Sequence, residues 1–153
     1  MILVIGIGNP TRGDDAAGLA VARRIREAAP GHVTVTELAG DQLALLDAWT
    51  GAREVYLIDA VCSGGTPGTV YRFDAAEPLT ARFWHRGTHT FSLADVIELG
   101  RALSRLPGRL SGYGIEGGTF EPGAPLSAEV EAAVQAVTAA LLRELREKRS
   151  RAG

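Results

Sequence analysis

The sequence predicts an α/β fold, a three-layer α/β/α sandwich around a mostly parallel, twisted central sheet of about five strands. Three observations carry this expectation. Strand-like and helix-like segments alternate along the chain, the pattern of successive βαβ units. Two strand-like runs, ILVIGI at 2–7 and EVYLIDA at 54–60, are almost continuously apolar, as strands covered on both faces must be. The helix-like segments gather their apolar residues on one side, so each can cover a sheet face.

In chain order, the run 2–7 is the first strand. Residues 15–29 repeat apolar side chains at helical spacing (Leu19, Val21, Ala22, Ile25, Ala28), and Pro30-Gly31 stops that helix. A second strand covers 33–38. A short helix at 41–49 places Leu43, Leu46 and Trp49 on one side. The third strand is 54–60. The turn Ser63-Gly64-Gly65-Thr66-Pro67-Gly68 leads into an edge strand at 69–73.

Residues 74–88 show no clear period. Ser92 and Asp95 form a capping box at the start of a helix over 92–106, with Phe91 and Val96 as its hydrophobic staple. Pro107-Gly108 ends that helix, and 109–115 is a further strand. A final helix begins near Ser127 and turns Val130, Val134, Val137, Leu141 and Leu145 inward. There are no repeats and no interdomain linker, so one domain over 1–153 is expected. Its last few residues, with the cluster Lys148, Arg149 and Arg151, are expected to be a disordered basic tail.

Apolar residues make up 46% and charged residues 22% of the 153, a balance that excludes an intrinsically disordered chain. A formal net charge of −2 gives no bulk field to recruit nucleic acid or anionic lipid. Met1 is followed at once by the first strand, with no signal-peptide pattern and no run long enough to span a bilayer, so a cytoplasmic location is expected. A single cysteine, Cys62, excludes an intramolecular disulfide and a multi-cysteine metal framework. Without an obvious base nearby, Cys62 reads as a small, semi-buried residue.

The loop after the first strand, Gly6-Ile7-Gly8-Asn9-Pro10-Thr11-Arg12-Gly13-Asp14-Asp15, admits two readings. G-x-G invites a dinucleotide cradle, but Thr11 stands where the third glycine belongs, and carboxylates at a helix start oppose a pyrophosphate. The other reading is a metal site. In an open α/β sheet, ligands bind beyond the carboxyl ends of the strands. Asp15 follows the first strand, Asp59 ends the third, and His89 precedes the capped helix. Two carboxylates and an imidazole suit a divalent ion such as zinc or nickel with open coordination positions.

Simpler roles exist for each residue. Asp14 reads as a helix N-cap. Asp15 suits a first-turn acid favoured by the helix dipole. Asp59 could bond loop amides, and His89 could be an ordinary loop histidine. His85 is the rival to His89, and His32 opens a strand as an exposed residue.

Taken together, MILVIGIGNPTRGDDAAG, VYLIDAVCSGGTPGTVYRF, THTFSLADVIEL, GIEGG and PLSAEV resemble the hydrogenase maturation endopeptidases, in that family's order and spacing. Those enzymes trim a C-terminal extension from the precursor of the [NiFe]-hydrogenase large subunit. The resemblance implies three metal-contacting and catalytic positions, Asp15, Asp59 and His89, with Asp15 standing where glutamate is more common. A further acidic position falls on Glu37, followed here by Leu38-Ala39-Gly40 in place of glycines. The metal implied is nickel carried by the precursor's cysteine-rich C-terminus, with zinc or cadmium as its substitutes in crystals. The partner implied is the large-subunit precursor; no nucleic acid or membrane is expected. No His-Glu-x-x-His helix and no serine or cysteine triad is visible. A non-hydrolytic metal or precursor chaperone of hydrogenase assembly is the alternative, and a nucleotide-binding module a distant third.

Overall fold

Strand β1 (Ile2–Ile7) lies between β2 (Val33–Leu38) and β3 (Glu54–Val61), with parallel pairing on both sides. The computed structural model describes residues 1–29, 31–84 and 92–152. Among them the sheet has five strands in the order β2-β1-β3-β5-β4, where β4 is Val70–Asp74 and β5 is Arg109–Glu116. β5 runs parallel to β3, from Glu54 opposite Arg109 to Val61 opposite Glu116. β4 is the antiparallel edge strand. The expected sheet, its adjacent apolar strands and its edge strand are all present.

The alternation of side chains along each strand divides the core in two. Leu3, Ile5 and Ile7 of β1 and Val55, Leu57 and Val61 of β3 face α2 (Gln42–Trp49) and α3 (Leu93–Ala102). Val4, Tyr56 and Ile58 face α1 (Ala17–Ala28) and α4 (Ala128–Ala152). On α4, Val130, Val134, Val137, Leu141 and Leu145 are all buried at the spacing read from the sequence. These are the three layers.

Several boundaries differ from expectation for identifiable reasons. On α2 the buried residues are Leu45, Leu46 and Trp49, while Leu43 is exposed. The i+3/i+4 pair onto Trp49 buries more of that short helix than a strict i+3 row would. α3 stops at Ala102, well before Pro107. Its end is a Schellman motif: the Arg105 N–H donates to the Gly100 carbonyl at 2.8 Å and the Ser104 N–H to Arg101 at 3.2 Å. Ser104 takes the left-handed conformation there, with φ of 55°. Glycine usually signals that position, so a serine conceals the stop.

β3 and β5 each extend one residue beyond the expected end. Cys62, the first residue past β3, is exposed rather than semi-buried. α4 runs through Lys148, Arg149 and Arg151 to Ala152. Lys148 is pinned there by an ion pair to Glu54 and lies 5.9 Å over the Tyr56 ring. Among the described residues no helix is long and apolar enough to cross a membrane.

Candidate functional site at the carboxyl edge of the sheet

The strand order places a reversal between β1 and β3. From β1 the chain crosses to β2 on one side, and β3 then returns to the other. The carboxyl ends of strands flanking such a reversal open a crevice that no crossover fills. Asp15 lies just beyond β1 and Asp59 near the end of β3, so both carboxylates belong to this edge.

The loop leaving β1 is tightly built. Gly8 lets it pass so close to the next turn that a Cβ at residue 8 would lie 2.0 Å from the Asp15 carbonyl oxygen. Residues Gly13–Ala16 then form a 3-10 turn packed against β3 and leading straight into α1. Gly18 lets α1 settle on the strand ends: a Cβ there would come 2.2 Å from the Ile58 carbonyl oxygen and 2.5 Å from that of Ile7.

Asp15 is 2% exposed, and its Oδ2 accepts the Asn9 N–H at 3.0 Å. Asp59 is 7% exposed, and its Oδ1 accepts the Ala60 N–H at 2.8 Å. Its position in the strand's alternation turns it toward the α2/α3 face. There it lines a small pocket with Ile7, Gly40, Ser92 and Val96. The pocket wall at Ser92 is fixed by the capping box expected from the sequence. The Asp95 N–H donates to Ser92 Oγ at 3.1 Å, and the Ser92 N–H to Asp95 Oδ2 at 2.9 Å.

His89, its rival His85, the Phe91 staple position and the Pro30 helix stop lie outside the described residues. Among the described residues no three His, Cys, Asp or Glu side chains form a metal-holding group.

Two further acidic residues of the sequence reading, Asp14 and Glu37, are held by partners in the fold. Asp14 is not an N-cap for α1; it is fully buried and binds across the molecule. Its Oδ2 accepts the N–H groups of Gly118 at 2.8 Å and Thr119 at 3.0 Å, and the Ser127 hydroxyl at 3.0 Å. Its Oδ1 accepts the Ser127 N–H at 2.7 Å. Burial pushes the Asp14 carboxyl upward, but these donors outweigh it and hold the group below the ordinary aspartate value.

Glu37 sits on the sheet face covered by α1. It pairs there with Arg23 at 2.8 Å and Arg26 at 2.7 Å, away from the face that carries Asp59. The Arg26 hydrogen bond, with help from Arg23, lowers its pKa against a smaller burial penalty.

Sequence reasoning missed Glu116. This 1%-exposed carboxylate at the end of β5 accepts the Ser63 N–H at 2.8 Å, the Ser63 hydroxyl, and the Tyr71 hydroxyl at 3.0 Å. Arg82 completes the cluster, 2.9 Å from the Tyr71 hydroxyl and 3.1 Å from Ser63 Oγ, with its guanidinium over the Tyr71 ring. Burial, and then the Glu116 contact, raise the Tyr71 pKa. The signal was available, because a carboxylate ending a buried strand needs partners by the same logic that singles out Asp59.

The fold and this edge define an α/β/α protein with paired acidic residues at a topological switch point. Comparison with known proteins makes the class specific. The family model for hydrogenase maturation protease (HycI) matches residues 19–144. The hydrogenase 2 maturation protease of Escherichia coli K12 is 28% identical over 150 residues, covering 95% of this chain and 91% of that protein. The hydrogenase expression/formation protein HupD of Rhodobacter capsulatus is 29% identical over 149 residues, covering 95% and 71%. A solution structure of an endopeptidase from Escherichia coli aligns at a TM-score of 0.78 with 28% identity, covering 96% of this chain and 93% of that one. The hydrogenase maturating endopeptidase HybD of E. coli aligns at 0.73 with 25% identity, with the same coverage.

The chain belongs to the hydrogenase maturation protease family. It is a protease, which sets aside both the non-hydrolytic chaperone and the nucleotide-binding alternatives.

Proposed function

We propose that this protease removes the C-terminal extension of a [NiFe]-hydrogenase large-subunit precursor once nickel has been inserted. In this reading Asp15, Asp59 and His89 complete the coordination of the nickel that the precursor carries. The observation that supports it most is the placement of two largely buried carboxylates at the carboxyl ends of neighbouring strands at the switch point. His89 precedes Ser92, which lines the pocket with Asp59, by three residues in sequence.

The donor set fits that cargo. Carboxylate oxygen and imidazole nitrogen suit a borderline divalent ion, and two or three protein donors leave positions for ligands from the substrate. Docking through the ion would fix the neighbouring peptide bond at the site, which is where much of the rate gain would come from. The metal supplies polarisation of a carbonyl or a bound water. The chain's own residues hold the ion's position: Asn9 orients Asp15 through its N–H, and the Ala60 amide orients Asp59. A precursor without nickel would lack this anchor and escape cleavage.

The test is to incubate the protein with nickel-loaded and nickel-free large-subunit precursor and to weigh the products by mass spectrometry. Loss of the extension confined to the loaded sample is the expected result. Equal cleavage of both precursors would remove nickel from the account.

A further inference from the structure

Arg12 lies in the loop between β1 and the Gly13–Ala16 turn, three residues before Asp15. Its backbone is fully engaged. The Arg12 N–H donates to the Asn9 carbonyl at 3.3 Å, and the Arg12 carbonyl accepts the Asp15 N–H at 3.1 Å. Its side chain is not. Among the described residues the Arg12 guanidinium makes no hydrogen bond and no ion pair, and its Nε is buried without an acceptor. Folded proteins rarely retain such a group, and each instance calls for an explanation.

The neighbouring acids do not supply one. Asp14, two residues on, has both oxygens committed to Gly118, Thr119 and Ser127. Asp15 Oδ2 receives the Asn9 N–H. Several other arginines of the chain are paired with carboxylates: Arg23 and Arg26 with Glu37, Arg24 with Glu131, and Arg72 with Glu144. In the loop beyond β1, Arg12 Nε is buried with no such partner.

We propose that Arg12 is a substrate-binding residue whose guanidinium donates to a carbonyl or carboxylate oxygen of the precursor's C-terminal segment. This rests on the reading that a peptide docks at that edge. Guanidinium is permanently charged and presents donors in a planar fork matched to such oxygens. A donor already held partly out of water costs less to desolvate further when the substrate arrives.

The variants Arg12→Met and Arg12→Lys test this with nickel-loaded precursor as the probe. Arg12→Met should raise KM roughly tenfold to a hundredfold, the effect of losing one charge-assisted hydrogen bond, and leave kcat within about threefold. Its melting temperature should be unchanged or higher, because an unsatisfied buried donor has been removed. Arg12→Lys, which keeps the charge and loses the fork, should fall between.

An unchanged KM would overturn the proposal. A lowered melting temperature with kcat and KM lost together would assign Arg12 a structural role and overturn it equally. Affinity of immobilised wild-type and Arg12→Met protein for the same precursor separates this proposal from the proposed function. If the wild type binds but does not cleave, the processing reading fails. Arg12 then stands on weaker binding by the variant and falls on equal binding.

Discussion

Asp14 and Ser127, 113 residues apart in sequence, are joined by two hydrogen bonds, from the Ser127 N–H at 2.7 Å and its hydroxyl at 3.0 Å. The bond to the N–H ties the loop beyond β1 to the residue that opens α4. The Gly118 and Thr119 amides, held by the same carboxylate, fasten the β5–α4 connection to that loop. One of the two aspartates that mark this loop is therefore a structural rivet.

Asp14→Asn should lower stability by about 2–4 kcal/mol, because the new amide nitrogen confronts donors it cannot accept from. Chemical denaturation checks this, and an unchanged midpoint would contradict it. The depressed carboxyl also sets a sign for pH. Its contribution is fully present above the ordinary aspartate value and is lost as pH falls through the lower folded value. The acid limb of the stability curve should therefore flatten in the Asn variant.

Asp15→Asn and Asp59→Asn should behave differently. Each amide keeps one oxygen to accept the Asn9 or Ala60 N–H, so the variants should remain folded, which circular dichroism checks. Processing of nickel-loaded precursor should drop by two orders of magnitude or more, on the order expected for loss of a group that holds a reacting centre. His89→Ala should match them and His85→Ala should be far milder. Strong activity in the His89 variant with loss in the His85 variant would reverse that assignment.

Ser104→Gly should stabilise the protein by about 0.5–1 kcal/mol, since glycine takes the left-handed position that ends α3 without a Cβ penalty. Thermal unfolding reads this directly. A loss of stability would mean that the serine side chain has a role its backbone conformation does not reveal.

The isolated protein should hold little nickel. Asp15, Asp59 and His89 leave much of an ion's coordination sphere to the precursor. Elemental analysis of protein purified without added metal should find well below one nickel per chain. Stoichiometric, chelator-resistant nickel would point to a resident metal.

The sequence and the structure agree where local rules are strong. The apolar runs of β1 and β3, the capping box at Ser92 and Asp95, and the i+3/i+4 ladder of α4 each follow from a period or a cap that needs no tertiary context. What escaped was set by distant partners. Asp14 reads as a helix cap until Ser127 and Gly118 are seen around it, and nothing in the sequence pairs Glu37 with the α1 arginines. Glu116 was legible by the burial logic that singled out Asp59. Arg12 was not, because an arginine in a glycine-rich loop carries no signal until its lack of partners is visible.

Nickel K-edge X-ray absorption addresses the central claim most directly, by comparing loaded precursor alone with loaded precursor plus one equivalent of this protease under conditions that stall cleavage. The account predicts that oxygen and nitrogen donors join the precursor's sulfur ligands on complex formation, and that fewer oxygen donors join with Asp15→Asn or Asp59→Asn. A nickel shell identical with and without the protease would contradict it.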